Sequence, residues 1–478
     1  MNIWGIPYGS LVYYILTGAY AITILSCVAV VLSENRNPIK SLAWVTVLIF
    51  LPIAGLVFYL FFGRSPKSLH LISRHNKRKL LHDRPPKSYA LNELPELTDH
   101  NRQIIRLADS VTSSPLCVGN KIEIFTSGEE KFRILKKDLE NARNFIYLQY
   151  YIFADDRLGH EIQDILMRKA SEGVTVKVIY DHVGSFSVKT RFFTKMKKAG
   201  VDAHPFFRVT FPQLANRINW RNHRKMVIID SEIGYIGGMN IADRYVDQTH
   251  NWRDTHFRLT GSAVNVLKYS FAIDWNFMRK KFEFEETAQA IPVPGNTTGV
   301  QLLTSGPGES WANIAMAYLK AISSAQKSIY IQTPYFLPTD ALLKALQSAA
   351  LAKIDVRIML PRRSDSRLLN LASFSYITQC LRAGIKIYLY EPGMLHAKTM
   401  IIDDDFSTGG STNFDFRSFE HNFEANLLVY DKDFNRQMKD IFFADIRECT
   451  RITLSKWHRR PRLQKFAESI VRLMSPIL

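Results

Sequence analysis

One phrase of this chain is written twice. His223-x-Lys225-x4-Asp230-x6-Gly237-Gly238-x-Asn240 returns as His396-x-Lys398-x4-Asp403-x6-Gly410-Ser411-x-Asn413, with 17 positions from His to Asn in both copies. Each copy follows a similar strand-like segment, Phe145-Ile-Tyr-Leu-Gln149 and Ser328-Ile-Tyr-Ile-Gln332. Repetition at this level marks an internal duplication, so the chain must fold as two related units. A His and Lys pair at matched depth in each unit points to one composite site, with two imidazoles facing each other across a substrate.

The 478 residues suit two fused units plus something extra, and the extra piece is N-terminal. Residues 1–33 hold no Asp, Glu, Lys or Arg, and Leu11 to Leu32 gives 22 mostly apolar residues, enough to cross a hydrocarbon core of roughly 30 Å. A cleaved signal peptide would need a basic start and a shorter apolar core. A second uncharged run, Ser41 to Gly63, follows the polar segment 33–40, so residues 1–63 are expected to form a transmembrane helical hairpin with spans at about 11–32 and 41–63. Pro52 and Gly55 are tolerated in such a helix. Eight Lys or Arg against the single acid Asp83 between Arg64 and Lys87 set the orientation. The large C-terminal part is then expected on the cytoplasmic side of the membrane.

A net charge of +18 and a pI near 9.6 fit work on polyanions, either nucleic acid or an anionic lipid surface. The two spans favour lipid, and the cluster His75-Asn-Lys-Arg-Lys79 suits anionic headgroups, although it reads equally as a solvated flank. Cys27, Cys117, Cys380 and Cys449 have no pairing or metal-ligand spacing, so reduced thiols are expected.

The expected domains run as follows: a basic juxtamembrane linker over 64–105, a first half-domain over 106–285, a linker over 286–299, a second half-domain over 300–452 and a basic amphipathic tail over 453–478. Within the first half, 145–151 and 174–180 read as strands around a helix at 159–170; 328–332, 340–352 and 354–360 repeat that order. Strand, helix and strand in succession predict parallel pairing and an α/β sandwich. The first half has about ten more residues between its Gln and its His, and the surplus at 206–221 is either an insertion over the site or a solvent loop. The tail carries Lys456-Trp-His-Arg-Arg-Pro-Arg462 and then Leu463, Phe466, Ile470, Val471, Leu473 and Met474. It can lie on a membrane surface or dock on the protein as a terminal helix.

His223 and Lys225 are two apart, so on a strand they share a face. The run continues inward, turns at Asp230 or Asp403, and returns to Gly237-Gly238 or Gly410-Ser411, glycines that let a bulky anion approach the backbone. Asn240 and Asn413 can donate to that anion. Attack on a phosphodiester needs its charge neutralised, a nucleophile and a proton for the leaving alkoxide. Two Lys and two Asn serve the first need. One neutral His can attack while the other, protonated, serves the leaving oxygen and then activates the incoming nucleophile. No metal or cofactor is required. Each His needs an orienting carboxylate, and Asp254 and Glu424 occur at comparable places, 31 residues after His223 and 28 after His396.

These doubled motifs resemble the signature of the phospholipase D superfamily over roughly residues 110 to 450. The resemblance implies catalytic His and Lys in each copy, chiefly structural Asp230 and Asp403, and a phosphatidyl-histidine intermediate, with His223 as nucleophile and His396 as general acid and base. The N-terminal spans, the Asn222-His-Arg-Lys225 and Leu395-His-Ala-Lys398 forms and the basic aromatic tail are similar to bacterial cardiolipin synthases. In that family one phosphatidylglycerol passes its phosphatidyl group to another and glycerol leaves, with phosphatidylglycerol and other anionic membrane lipids as partners and no nucleic acid. Gly238 and Ser411 differ at matched positions, an asymmetry that can separate donor and acceptor roles. A hydrolase of the same superfamily (lipase or nuclease), another phosphatidyltransferase such as a phosphatidylserine synthase, and a membrane scaffold with a decayed site are the alternatives. The intact His, Lys and Asn argue against decay.

Overall fold

A computed structural model of the chain describes residues 97–473, apart from 113, 209–219, 248, 250, 279, 281 and 283–290, together with 2–3, 6–33, 38–51, 54, 55 and 59. The alternation of apolar residues around the repeated motifs yields two mixed sheets. The first uses β1 (Asn120–Phe125), β2 (Phe145–Tyr150), β3 (Thr175–Asp181), β4 (Asp202–Phe206), β5 (Met226–Ile229), β6 (Ile233–Gly237) and β7 (His256–Gly261), in the order β1-β7-β6-β5-β2-β3-β4. The second uses β8 (Gly299–Ser305), β9 (Ser328–Gln332), β10 (Asp355–Pro361), β11 (Lys386–Tyr390), β12 (Thr399–Ile402), β13 (Phe406–Gly410), β14 (Glu424–Tyr430) and β15 (Cys449–Ile452), in the order β8-β14-β13-β12-β9-β10-β11-β15. Seven strands correspond one to one, and β15 is an added edge in the second sheet.

The pairing agrees as well. β2 runs parallel to β3, and β9 to β10, across the helices Arg157–Ser171 and Asp340–Leu351, as a strand-helix-strand order requires. The motif strands β5–β6 and β12–β13 are antiparallel hairpins. Their turns need left-handed backbone, φ +53° at Asp230, +57° at Ser231 and +48° at Asp403, and a short polar side chain tolerates it. The same carboxylates brace the start of the neighbouring strand. Asp230 accepts the N–H groups of Arg143, Asn144 and Phe145, and Asp403 those of Gln326, Lys327 and Ser328, at 2.7–2.9 Å.

Period-two alternation buries both faces of each sheet. Ile146, Leu148 and Tyr150 join a core with Phe132, Leu135, Ile162 and Leu166 of the helices Gly128–Glu140 and Arg157–Ser171. On the other face Tyr147 stacks on Phe271 of the helix Ala263–Phe277, centroids 5.1 Å apart. The second sheet repeats this. Ile329 and Ile331 join Leu342 and Leu346, while Tyr330 stacks on Phe442 of the helix Lys432–Arg447 at 5.0 Å. Cys117 and Cys380 are free and buried, and Cys449 is free and half-buried.

The chain divides into two compact units, 1–70 with 210–219 and the remainder. In the smaller one the expected first span falls on the helix Tyr8–Ser33, and the second begins on Pro38–Phe50, the rest of it lying mostly outside the described residues. Among the described residues, which leave out the side chains of 8–11, 27 and 30–33, no helix is long and apolar enough to cross a membrane. The surplus at 206–221 lies mainly outside the described residues too.

Candidate active site

Two short backbone bridges set the histidines. The N–H of His223 donates to the carbonyl of Phe423 (2.9 Å) and that of Phe423 to Arg221 (2.8 Å). By the same pattern His396 donates to Arg253 (2.7 Å) and Arg253 to Met394 (2.9 Å). Phe423 and Arg253 immediately precede Glu424 and Asp254. Each bridge therefore brings the His of one repeat to the carboxylate of the other: Nδ1 of His223 lies 3.0 and 3.1 Å from the Glu424 oxygens, and Nδ1 of His396 lies 2.7 Å from Asp254 Oδ2. Both carboxylates are fully buried. With Nδ1–H so engaged, each ring keeps Nε2 for a substrate, and among the described residues neither Nε2 has a protein partner.

The lysines fold back on the same groups. Lys225 Nζ donates to the His223 carbonyl at 2.5 Å and lies 5.5 Å above the Tyr151 ring. Lys398 Nζ donates to the His396 carbonyl, lies 2.8 Å from His396 Nδ1 and 3.8 Å from Asp254. Burial lowers the Lys225 ammonium to about 7 against the pull of Glu424, with Lys398 lowering it further, and burial lowers Lys398 likewise. Burial also depresses both imidazoles. For His223 the Glu424 carboxylate opposes this, while for His396 Lys398 adds to it and brings the group to about 4. Burial works to raise the carboxylates, but Lys398 and His396 hold Asp254 ionised, as His223 and Lys225 hold Glu424. An entering anion tips this balance toward protonated imidazole and charged lysine.

Asp230 and Asp403 are engaged with the backbone at the far ends of β5 and β12, away from the imidazoles. The Asn240 carbonyl accepts from the N–H of Ile152 (3.1 Å), and one hydrogen of its amide donates to the Tyr245 hydroxyl (2.9 Å), which lies 3.4 Å from His396 Nδ1. Asn413 differs. Its Oδ1 is buried without a hydrogen bond, and among the described residues its amide has no partner either. Gly237, Gly238 and Gly410 are closely packed: a Cβ on them would meet the His256 backbone at 2.5 Å, the Asp254 carboxylate at 2.1 Å and the Ala425 carbonyl at 2.2 Å. Ser411, the counterpart of Gly238, donates its hydroxyl to Glu424 instead.

Several residues at the site are not among those singled out from the sequence. Tyr151 meets the His223 ring edge-on at 5.0 Å, and Trp252 lies 5.1 Å from His396. Arg224 sits between His223 and Lys225, so it takes the opposite strand face; it binds both Asp274 oxygens at 2.7–2.8 Å and donates Nε to the Glu424 carbonyl at 3.1 Å. Arg253 grips Asp445 from the other side of the repeat boundary, at 3.2 and 2.6 Å. Period two could have flagged Arg224; nothing local marked Arg253. Among the described residues no group of three His, Cys, Asp or Glu could hold a metal ion.

Similarity to known proteins agrees with this geometry. A family model described as "Cardiolipin synthase, PLD-like domain" matches residues 135–254 and 318–446, and one described as "Phospholipase_D-nuclease N-terminal" matches 21–64. Among curated relatives, cardiolipin synthase 2 of Bacillus anthracis is 41% identical over 94% of this chain and 89% of its own length. The major cardiolipin synthase of Bacillus subtilis (strain 168) is 37% identical over 96% and 98%. Among solved structures, the phosphatidylserine synthase of Haemophilus influenzae Rd KW20 shares the fold, with a TM-score of 0.59 at 16% identity over 79% of this chain and all of that one. The family match over both repeats and the identity along nearly the whole length agree: the chain belongs to the cardiolipin synthase family of phospholipase D-like proteins.

Proposed function

We propose that the chain is a membrane-bound phosphatidyltransferase that makes cardiolipin and glycerol from two molecules of phosphatidylglycerol. The observation that carries this reading is the crossed pair of dyads, His223 with Glu424 and His396 with Asp254, beside two lysines. The two rings are held alike, so the order of their roles is taken from the resemblance. His223 Nε2 attacks phosphorus while protonated His396 gives its proton to the leaving glycerol oxygen; the P–O bond breaks and a P–N bond forms. His396, now neutral, takes the proton from a hydroxyl of a second phosphatidylglycerol, whose oxygen displaces His223 and restores it. Glu424 and Asp254 stabilise the imidazolium that appears on their own ring at each stage, and Lys225, Lys398 and Asn413 answer the phosphoryl charge.

The half-domains 106–285 and 300–452 form the catalytic part, and the N-terminal segment is read as two spans at about 11–32 and 41–63, with the catalytic part cytoplasmic. The charge-free runs and the basic segment 64–87 support this topology. Near a bilayer surface the glycerol headgroup of a neighbouring lipid is at high effective concentration, which favours transfer over hydrolysis. Broken and formed phosphodiesters are similar in energy, so the reaction should run backward. Enzyme in cardiolipin vesicles with labelled glycerol should produce labelled phosphatidylglycerol. Phosphatidic acid without label uptake would favour the hydrolase instead.

A further inference from the structure

The C-terminal tail resolves into a helix with two different faces. Over Arg462–Leu473 one face docks: Val471 is buried, Arg472 lies 4.5 Å above the Tyr376 ring of the helix Arg367–Ala383, and Glu468 is buried against Arg460. The segment before it is pinned by Trp457, edge-on to Phe374 at 5.4 Å. The other face is largely uncovered among the described residues. Leu463, Phe466, Ile470 and Leu473 are 80, 63, 47 and 81% exposed, and their spacing of three, four and three residues sets them on one stripe. Arg462 and Lys465 lie beside that stripe on the helix surface, with Lys456 and Arg459 just before it, all of them exposed or half-exposed. The one acid over 454–473, Glu468, is buried, so the exposed charge here is of a single sign.

A second copy of this chain would bring like charge against like, and a protein partner would leave the apolar stripe needing a matching groove. An anionic bilayer surface meets both features at once, apolar side chains entering the acyl boundary and basic ones the headgroups. We propose that the tail helix is a second, interfacial membrane contact, which holds the catalytic part against the lipid surface that the proposed function requires it to work on.

The test uses the full chain in nanodiscs of phosphatidylglycerol, of phosphatidylcholine, and in detergent, with hydrogen exchange read on peptides within 462–473. Exchange should slow at least about tenfold in the anionic discs relative to the neutral ones, and lose that difference in high salt. Arg459→Glu with Arg462→Glu, on exposed positions outside the docked face, should abolish the difference while the helix 367–383 exchanges as before. Leu463→Ser with Phe466→Ser should weaken protection in both disc types. Equal exchange in both lipids, or a difference that survives charge reversal, overturns the proposal. Protection that appears in detergent as protein concentration rises would assign the stripe to a second copy instead. If the enzyme proves to be a hydrolase, its products change but this exchange pattern should not, so the two readings fail separately.

Discussion

Substitution at the matched positions Gly238 and Ser411 should lower turnover by different routes, a clash at one and a lost hydrogen bond at the other. A Cβ at 238 would fall 2.1 Å from Asp254 Oδ1, about 1 Å inside the closest approach such atoms make. Asp254 has nowhere to yield. Its Oδ1 accepts the Thr255 N–H at 2.7 Å and its Oδ2 holds His396 at 2.7 Å, with Lys398 beside it at 3.8 Å. Gly238→Ala therefore breaks one charge-assisted hydrogen bond, and overpacking adds to the loss, for a destabilisation of about 2–4 kcal/mol. A displacement of about 1 Å in the group that orients His396 should lower kcat by at least about 100-fold. Ser411→Gly creates no clash but removes the hydroxyl that donates to Glu424 and accepts the Ala425 N–H at 3.0 Å, while Glu424 keeps His223 and the Asn422 amide at 3.1 Å. That change should cost about 1.5–3 kcal/mol in turnover, roughly 10- to 150-fold, with a loss of Tm smaller than that of Gly238→Ala. Initial rates in phosphatidylglycerol vesicles, with Tm measured on the same preparations, decide the matter. Wild-type turnover in folded Gly238→Ala would refute the crossed-dyad geometry, and so would an undiminished rate in Ser411→Gly.

Two further outcomes follow from the site. Lys225 is lowered by burial to about 7, so as pH rises through that value the substrate-free enzyme loses a cation and kcat/KM should fall, whereas the kcat limb should lie higher because bound phosphodiester favours the ammonium; rate profiles that are flat between about pH 6 and 9 would contradict this. His396→Asn with a donor carrying a good leaving group should accumulate a phosphatidyl adduct on His223, seen by acid-quench peptide mapping, and an adduct found only in His223→Asn enzyme would reverse the roles.

The sequence made the motifs, the hairpins and the strand-helix-strand order legible because these are local: spacing and alternation act within a few tens of residues. The carboxylates were visible only as candidates, because the pairs that form, His223 with Glu424 and His396 with Asp254, span 201 and 142 residues and depend on how two sheets meet. Asn240 and Asn413 read alike in the sequence, yet Tyr245, an aromatic with no motif of its own, takes a hydrogen bond from the Asn240 amide that Asn413 does not make among the described residues. Lys131 and His256 show the other limit. Both are fully buried, one donating to the Tyr150 hydroxyl at 2.8 Å and the other with neither ring nitrogen hydrogen-bonded among the described residues, although composition alone would have put the lysine at the surface.

In the proposed reaction the phosphatidyl group passes between two lipids through a histidine held by the opposite repeat. The most direct measurement gives the purified full chain to phosphatidylglycerol vesicles and identifies the lipid products over time, with and without added glycerol. Cardiolipin should form with one glycerol released per molecule, its net formation slowed by added glycerol, and the product should be lost in Glu424→Gln and Asp254→Asn enzymes. Phosphatidic acid as the main product, at a yield indifferent to glycerol, would contradict it.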